Sequence, residues 1–175
     1  MNFWKIDPPH SAIHFKVKHM LIATVTGLFT KFKGTVESTN GANFEDSRAE
    51  ISIETNSVYT NETYRDDHLR SPEFFDAEKF PNITFSSTSL IKTKNENHFL
   101  LSGNLTIKGI TKEVKLTAIY GGSVEDNGQL KAGFEVTGTI SRKAFDLTYN
   151  PLMEAGGMVV SENVDILANI ELVKA

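Results

Sequence analysis

The stretch QLKAGFEVTGTI, Gln129 to Ile140, alternates without a break. Leu130, Ala132, Phe134, Val136, Gly138 and Ile140 fall on one side, and Gln129, Lys131, Gly133, Glu135, Thr137 and Thr139 on the other. A period of two sends successive side chains to opposite faces of an extended chain, so this is a strand with one apolar and one wet face, as in an antiparallel sheet. Just before it, Asp126-Asn127-Gly128 is a hairpin signal, because Asn-Gly supplies the positive φ angles of a tight turn. Working outward, the rhythm returns in Ile13, Phe15, Val17, His19; in Ala49, Ile51, Ile53; and in Ile83, Phe85. It returns again in Leu105, Ile107; in Val114, Leu116, Ala118, Tyr120; and in Val164, Ile166, Ala168, Ile170, Leu172, while Lys33 to Ser38 makes an eighth strand. Turn residues lie between them at Thr39-Asn40-Gly41, Lys94 to Asn97 and Gly121-Gly122. About eight short strands joined by tight turns predict an all-β barrel or sandwich.

Asn61 to Pro81 breaks the rhythm. NETYRDDHLRSPEFFDAEKFP reads as two short helices, the first capped by Asn61, the second opened by Ser71 at the cap and Pro72 at the first helical position and stopped by Pro81. Phe74, Phe75 and Phe80 give the second an apolar side that needs cover, which predicts a lid across an open barrel end. A shorter helical piece is expected within Leu21 to Phe32, where Leu28, Phe29 and Phe32 share three-and-four spacing. No repeat, low-complexity tract or linker interrupts the chain, so residues 1–175 are read as one domain.

The 175 residues are 39% apolar, enough for one buried core. A net charge of −4 without a basic block argues against a nucleic-acid partner. The longest apolar run, Met20 to Ala23, falls far short of the ~20 residues of a membrane span. Lys5, Asp7, Pro8 and Pro9 leave no room near the start for the apolar h-region of a leader, so a cytoplasmic location is expected. With no cysteine, thiolate catalysis, thiolate metal sites and disulfides are excluded. Twelve Phe against four Tyr and one Trp suit a surface kept dry throughout, in a packed core or an apolar pocket.

Candidate chemistry is sparse. His10 and His14 share one side of an extended chain and His19 falls on the other with Phe15 and Val17, so the three do not converge on a metal, and no metal site is expected. His19 is either a core histidine satisfied by backbone or a polar anchor for a ligand head. Arg65-Asp66-Asp67-His68 superficially resembles a hydrolytic cluster, yet consecutive helical residues point in different directions. A structural role fits better, with Asp66 and Arg70 as a surface pair and Arg65 or His68 tying helix to barrel. No nucleophile elbow, zincin, Walker or dinucleotide motif occurs, and Gly156-Gly157 alone is too short for a phosphate cradle. No catalytic residue and no cofactor are assigned. The interior of a barrel of about eight strands is either just filled by side chains or holds one small ligand, which makes the inward apolar stripe the main functional candidate.

Several groups of residues recur together in one family. They are Trp4, Ile6, Asp7, His10-Ser11, Phe15 and His19; Gly27, Phe29, Phe32 and Gly34; Arg65-Asp66, His68-Leu69 and Phe74-Phe75. With them go Phe80-Pro81, Ile83-Thr84-Phe85; Gly103 to Ile107, Gly109 and Val114; and Arg142 with Phe145. In this order and spacing the chain resembles, over nearly its whole length, the YceI-like family, the lipocalin-like bacterial polyisoprenoid-binding proteins. The resemblance implies an all-β fold, an eight-stranded antiparallel lipocalin-like β-barrel with short helical insertions near the mouth, and often a homodimer. It also implies a function: a binding protein holding a long-chain amphiphile (polyisoprenoid, quinone-like or fatty-acyl lipid) for storage, shielding or transport. Asp146 and Ser161 depart from the family pattern, which usually has glycine at the first position and commonly at the second; Asp tolerates a left-handed turn better than most residues, and Asp146 bears on the cavity rim.

The expected ligand-binding residues are Phe15, Val17, His19, Phe29, Phe32, Phe74, Phe75, Phe85, Leu105, Ile107, Phe134, Val136 and Phe145. At about 0.8 kcal/mol per buried methylene, a tail of roughly twenty carbons nominally approaches the ~18–21 kcal/mol ceiling on noncovalent affinity, so a head-group contact would chiefly set orientation. Two alternatives stand beside this reading. One is an enzyme acting on such a lipid through Asp7, His10, His19 or His68, and the other is a filled barrel used only for protein association.

Overall fold

The computed structural model describes residues 1–41, 43–150 and 159–175; Gly156-Gly157 lies outside them. Eleven strand segments run in chain order: β1 (Asn2–Ile6), β2 (Ala12–His19), β3 (Ala23–Phe29), β4 (Phe32–Ser38), β5 (Arg48–Glu54), β6 (Val58–Tyr59), β7 (Asn82–Lys92), β8 (His98–Ile107), β9 (Ile110–Asp126), β10 (Gln129–Ser141) and β11 (Asn163–Lys174). They occupy eight staves. β1 and β2 both lie against β11, with Trp4 opposite Lys174 and Phe15 opposite Ile166, and the chain bends between them at Pro8–His10. β3 and β4 likewise form one bent stave against β2 and β1, and β5 and β6 form the next. Every pairing is antiparallel, and β11 closes back on β1 and β2, so the sheet is an eight-stranded closed barrel with neighbours in chain order. Among the described residues no helix is long and apolar enough to cross a membrane.

Closure leaves the inward face of each strand nowhere to go but the interior. At one end that face is packed solid. Trp4 is fully buried and donates Nε1–H to Ser38 Oγ at 3.1 Å. Phe44, from the β4–β5 connection, lies with its ring 5.1 Å from that of Trp4 and 4.9 Å, edge on, from that of Phe134. Tyr120 joins them at 5.3 Å from Phe134. These rings plug the barrel, Phe44 and Phe134 in the edge-to-face arrangement aromatic quadrupoles favour and the others tilted against them.

The Asn61–Pro81 excursion crosses the other end. One α-helix forms there, α1 (Thr63–Arg70). Its cap is Glu62 rather than Asn61: the Glu62 carboxylate accepts from the backbone N–H of Tyr64 and Arg65, while Asn61 sits at φ +62°, before the helix. The expected second helix is absent. After Ser71 the chain makes successive turns, and Asp76 enters the left-handed region at φ +49°, leaving too few residues on either side to nucleate a helix. The Leu21–Phe32 piece is also not helical. Its Thr24-Val25-Thr26 run is β-branched and pairs with β2, so the three-and-four spacing of Leu28, Phe29 and Phe32 is incidental.

Nor does Asp66 pair with Arg70. Buried Asp66 accepts from Thr60 N–H at 2.7 Å and from its hydroxyl, whereas Arg70 bonds Asp67 Oδ1 at 3.0 Å and the carbonyls of Asn56 and Val58. Arg65 donates to the hydroxyl and carbonyl of Thr60, so α1 is tied to the barrel by two guanidinium groups. Asp146 takes the left-handed conformation its position requires, φ +59° and ψ 26°.

Candidate functional site

Between the aromatic plug and the Asn61–Pro81 cover the barrel encloses a cavity of about 380 Å³. Ten expected residues line it: Phe15, Val17 and His19 from β2, Phe29 from β3, Phe74 and Phe75 from the cover, Phe85 from β7, Leu105 and Ile107 from β8, and Val136 from β10. Three do not. Phe134 faces inward but belongs to the plug, Phe145 is fully buried in the short helical turn after β10, and Phe32 packs half-buried on the core opposite Ile53. Alternation gives the direction of a side chain and not its height in the barrel, so the sequence alone does not separate Phe134 from Val136 two residues away.

Rings are arranged to line this space rather than fill it. Phe15 lies flat over Gly27, its partner on β3: a Cβ at Gly27 would fall 2.2 Å from Phe15 Cζ. Phe15 then meets Phe29 at 5.6 Å and Phe29 meets Phe75 of the cover at 5.9 Å, which continues the apolar wall over the opening. Leu69, Leu147, Tyr149 and Val159 also line the cavity. They come from irregular or helical segments near the mouth, where no period of two marks them.

Polar groups gather at the mouth: His19, Arg65, His68, Arg142 and Tyr149 line the cavity there, while His14 joins the lining from midway along β2. His19 ends β2 and forms an antiparallel bridge with Val160, extending the β2–β11 pairing to the rim. His68 is held on three sides, by its Nε2 on Glu73 Oε2 at 2.5 Å and by edge-on rings of Phe74 (5.0 Å) and Tyr149 (4.8 Å). Arg142, 3% exposed, donates to the carbonyls of Ser161 (2.8 Å), Leu147, Tyr149 and Val160. Burial pushes its pKa below the ordinary guanidinium value, opposed in part by the charge of Glu162. Arg142 thus gathers both described ends of the β10–β11 connection onto one cation. From the β8–β9 turn, Lys108 Nζ donates to Pro72 O at 3.3 Å and Asp146 O at 3.2 Å, strapping the cover to the segment after β10.

Asp7 and His10 lie elsewhere. Asp7 Oδ2 accepts from His10 Nδ1 at 2.8 Å, and Glu171 stands 3.9 Å away, outside the cavity lining. The ligating atoms of these three lie within 4.8 Å of one another, but Lys131 Nζ, 3.6 Å from Glu171 Oε1, already brings positive charge there. The Asp7 hydrogen bond and charge, with Glu171 behind, raise the His10 pKa above its ordinary value. Among the described residues, no two titratable groups of the cavity lining are hydrogen-bonded to each other through their side chains.

Comparison with known proteins follows the same lines. UPF0312 proteins of Staphylococcus aureus, including those of strains bovine RF122 / ET3-1 and USA300, are 32% identical over 173 residues, 98% of this chain and 97% of theirs. Among solved structures, BcnA of Burkholderia cenocepacia superposes with a TM-score of 0.79 at 22% identity, covering 95% of this chain and 98% of BcnA. The YCEI protein of Campylobacter jejuni gives 0.69 at 30% identity, covering 88% and 90%. A domain from Saccharophagus degradans described as polyisoprenoid-binding gives 0.72 at 16% identity, covering 97% of each chain. The profile of the YceI-like domain matches residues 4–172, and the chain belongs to the YceI-like family.

Proposed function

We propose that this protein is a single-domain binding protein that takes the apolar tail of a long-chain amphiphile, a polyisoprenoid, quinone-like or fatty-acyl lipid, into the barrel for storage, shielding or transport. The observation that carries the reading is the cavity itself: about 380 Å³ of space walled mainly by Phe, Val, Leu and Ile, with most of its polar groups at the mouth. An apolar pocket with a few convergent polar groups is the usual form of a small-molecule site. The polyisoprenoid-binding description of the Saccharophagus degradans domain points the same way. A filled barrel serving only association is disfavoured, because this interior is not filled.

The volume also sets a scale. At about 30 Å³ for a water-sized group, the cavity takes on the order of a dozen methylenes. At about 0.8 kcal/mol each these contribute roughly 10 kcal/mol before the cost of association, so the tail alone falls well below the affinity ceiling. The mouth groups His19, Arg65 and His68 then matter for affinity as well as orientation, and a longer chain has to leave its far end outside the barrel.

Native mass spectrometry with lipid extraction tests this. The expected result is a lipid-loaded protein, with loading reduced in Ala168→Phe, which takes up part of the cavity from β11. Recovery of clean apo protein that also refuses added prenyl lipids and fatty acids refutes it.

A further inference from the structure

The tip of the β2–β3 hairpin is built against its own local physics. Ile22 N–H bonds to His19 C=O at 3.3 Å, and the two central residues of this turn, Met20 and Leu21, stand at φ +53° and +63°. Two positive φ values side by side are the type I′ pattern, for which Asn-Gly is the preferred sequence. Met and Leu gain nothing locally from that conformation, and the tip is exposed: Met20 is 43%, Leu21 66% and Ile22 87% exposed. Strain and apolar exposure thus coincide in Met20 and Leu21, and Ile22 extends the exposed apolar run.

Their position gives the coincidence a use. Met20 N–H bonds to Val159 O at 2.7 Å, and Val17, His19, Val25 and Val159 all line the cavity, so the tip stands at its mouth. Tyr149, 39% exposed, and Tyr64, 79% exposed, stand on the same end, linked through the His68 ring. Lys16 and Lys18 are exposed on β2 just below the tip.

We propose that this end of the barrel docks on a lipid bilayer, with Met20, Leu21 and Ile22 entering the acyl boundary and Tyr64 and Tyr149 at headgroup level. Apolar residues at an apex flanked by amphipathic tyrosines are the arrangement of an interfacial anchor. A second protein surface fits less well, since a stable interface needs ~800 Å² on each side and three side chains on a convex tip cannot supply it. A net charge of −4 gives no general attraction to anionic lipid, so contact is carried by the apolar apex, with the two lysines offering local complementarity. The inference extends the lipid-carrier reading, since a docked mouth lets a tail pass from bilayer to cavity without crossing water.

The test uses the full chain in flotation with vesicles of phosphatidylcholine and phosphatidylglycerol at 3:1. Met20→Asn/Leu21→Gly installs the preferred turn, so it raises the thermal midpoint while the vesicle partition coefficient falls roughly tenfold for each apolar side chain removed. Ile22→Thr lowers it by a similar factor. A parent protein that stays with the soluble fraction overturns the proposal, as does a double variant that floats equally well. A parent dimer in sedimentation without vesicles, dissolved by the same substitutions, overturns it in favour of a second copy. Lipid content of the purified double variant, read separately by mass spectrometry, separates the two ideas: loss of docking with retained lipid leaves the cavity reading standing, and an empty cavity with intact docking does the reverse.

Discussion

Replacing Gly27 by alanine probes the space on which the functional reading depends. The new Cβ would lie 2.2 Å from Phe15 Cζ and 2.6 and 2.7 Å from the two Cε atoms, whereas ordinary contact begins at 3.4 Å, so the ring tip has to shift by about 1.2 Å. On its wall side it meets the new methyl group; on its inner side lies the cavity. The ring therefore swings inward, and Gly27→Ala is expected at the low end of the overpacking range, about 1 kcal/mol. The cavity loses a methyl-sized volume, about 30 Å³. One methylene fewer is worth about 0.8 kcal/mol, or roughly a fourfold rise in the Kd of a chain that fills the site. Gly103→Ala is the control. There Phe85 Cζ would lie at 2.4 Å, but the carbonyl oxygen of Ser86 would lie at 2.7 Å, and Ser86 is held in register opposite Asn104. Backbone in a sheet cannot swing away, so this substitution is expected near the top of the range, about 3 kcal/mol. Urea unfolding of both variants and displacement of a fluorescent fatty acid read the two quantities. Equal destabilisation of both, with unchanged affinity in Gly27→Ala, would show that no free space adjoins Phe15.

Phe44→Ala opens the aromatic plug and is expected to cost ~3–5 kcal/mol in denaturant unfolding while leaving the Kd of a cavity ligand unchanged, since Phe44 does not line the cavity. Lys108→Met removes the strap to Pro72 and Asp146, so ligand dissociation in stopped flow should speed up severalfold with stability altered by no more than ~1 kcal/mol. For His10, the raised pKa means that its ion pairing favours the folded state fully below 6.5 and that this contribution disappears as pH rises through the raised value. An NMR titration should place the His10 midpoint above 6.5 in the parent and closer to 6.5 in Asp7→Asn.

The staves were legible because a period of two is a local property and survives without tertiary knowledge: Leu130 to Ile140 and Val164 to Leu172 both lie within paired strands. The excursion was legible as an interruption but not in its form. Ser71-Pro72 opens a helix by local rules, yet Asp76 at positive φ turns the chain so that Phe74 and Phe75 both line the cavity, an outcome set by the barrel mouth. Phe134 shows the other boundary. Only the connection that brings Phe44 under it determines that it plugs the barrel, and that contact spans ninety residues of sequence. Leu147, Tyr149 and Val159 carry no periodic signal and reach the cavity because Arg142 gathers their segment by its carbonyls.

An inward apolar stripe does not by itself decide between a packed core and a pocket; the neighbours of its large residues do. Phe15 lies over Gly27, Phe85 over Gly103, and Leu116 over Gly138, whose absent Cβ would meet Leu116 Cδ2 at 2.3 Å. In each case a bulky side chain that would otherwise reach toward the barrel axis lies along the wall, in the notch left by a glycine. At the plugged end the arrangement differs, since Trp4, Phe44, Tyr120 and Phe134 stack on one another and no notch takes them out of the interior. The same residue type therefore fills one end and lines the other, and the glycines decide which. Space held open in this way costs dispersion contacts that a filled core would have made, a cost a bound hydrocarbon offsets on entering.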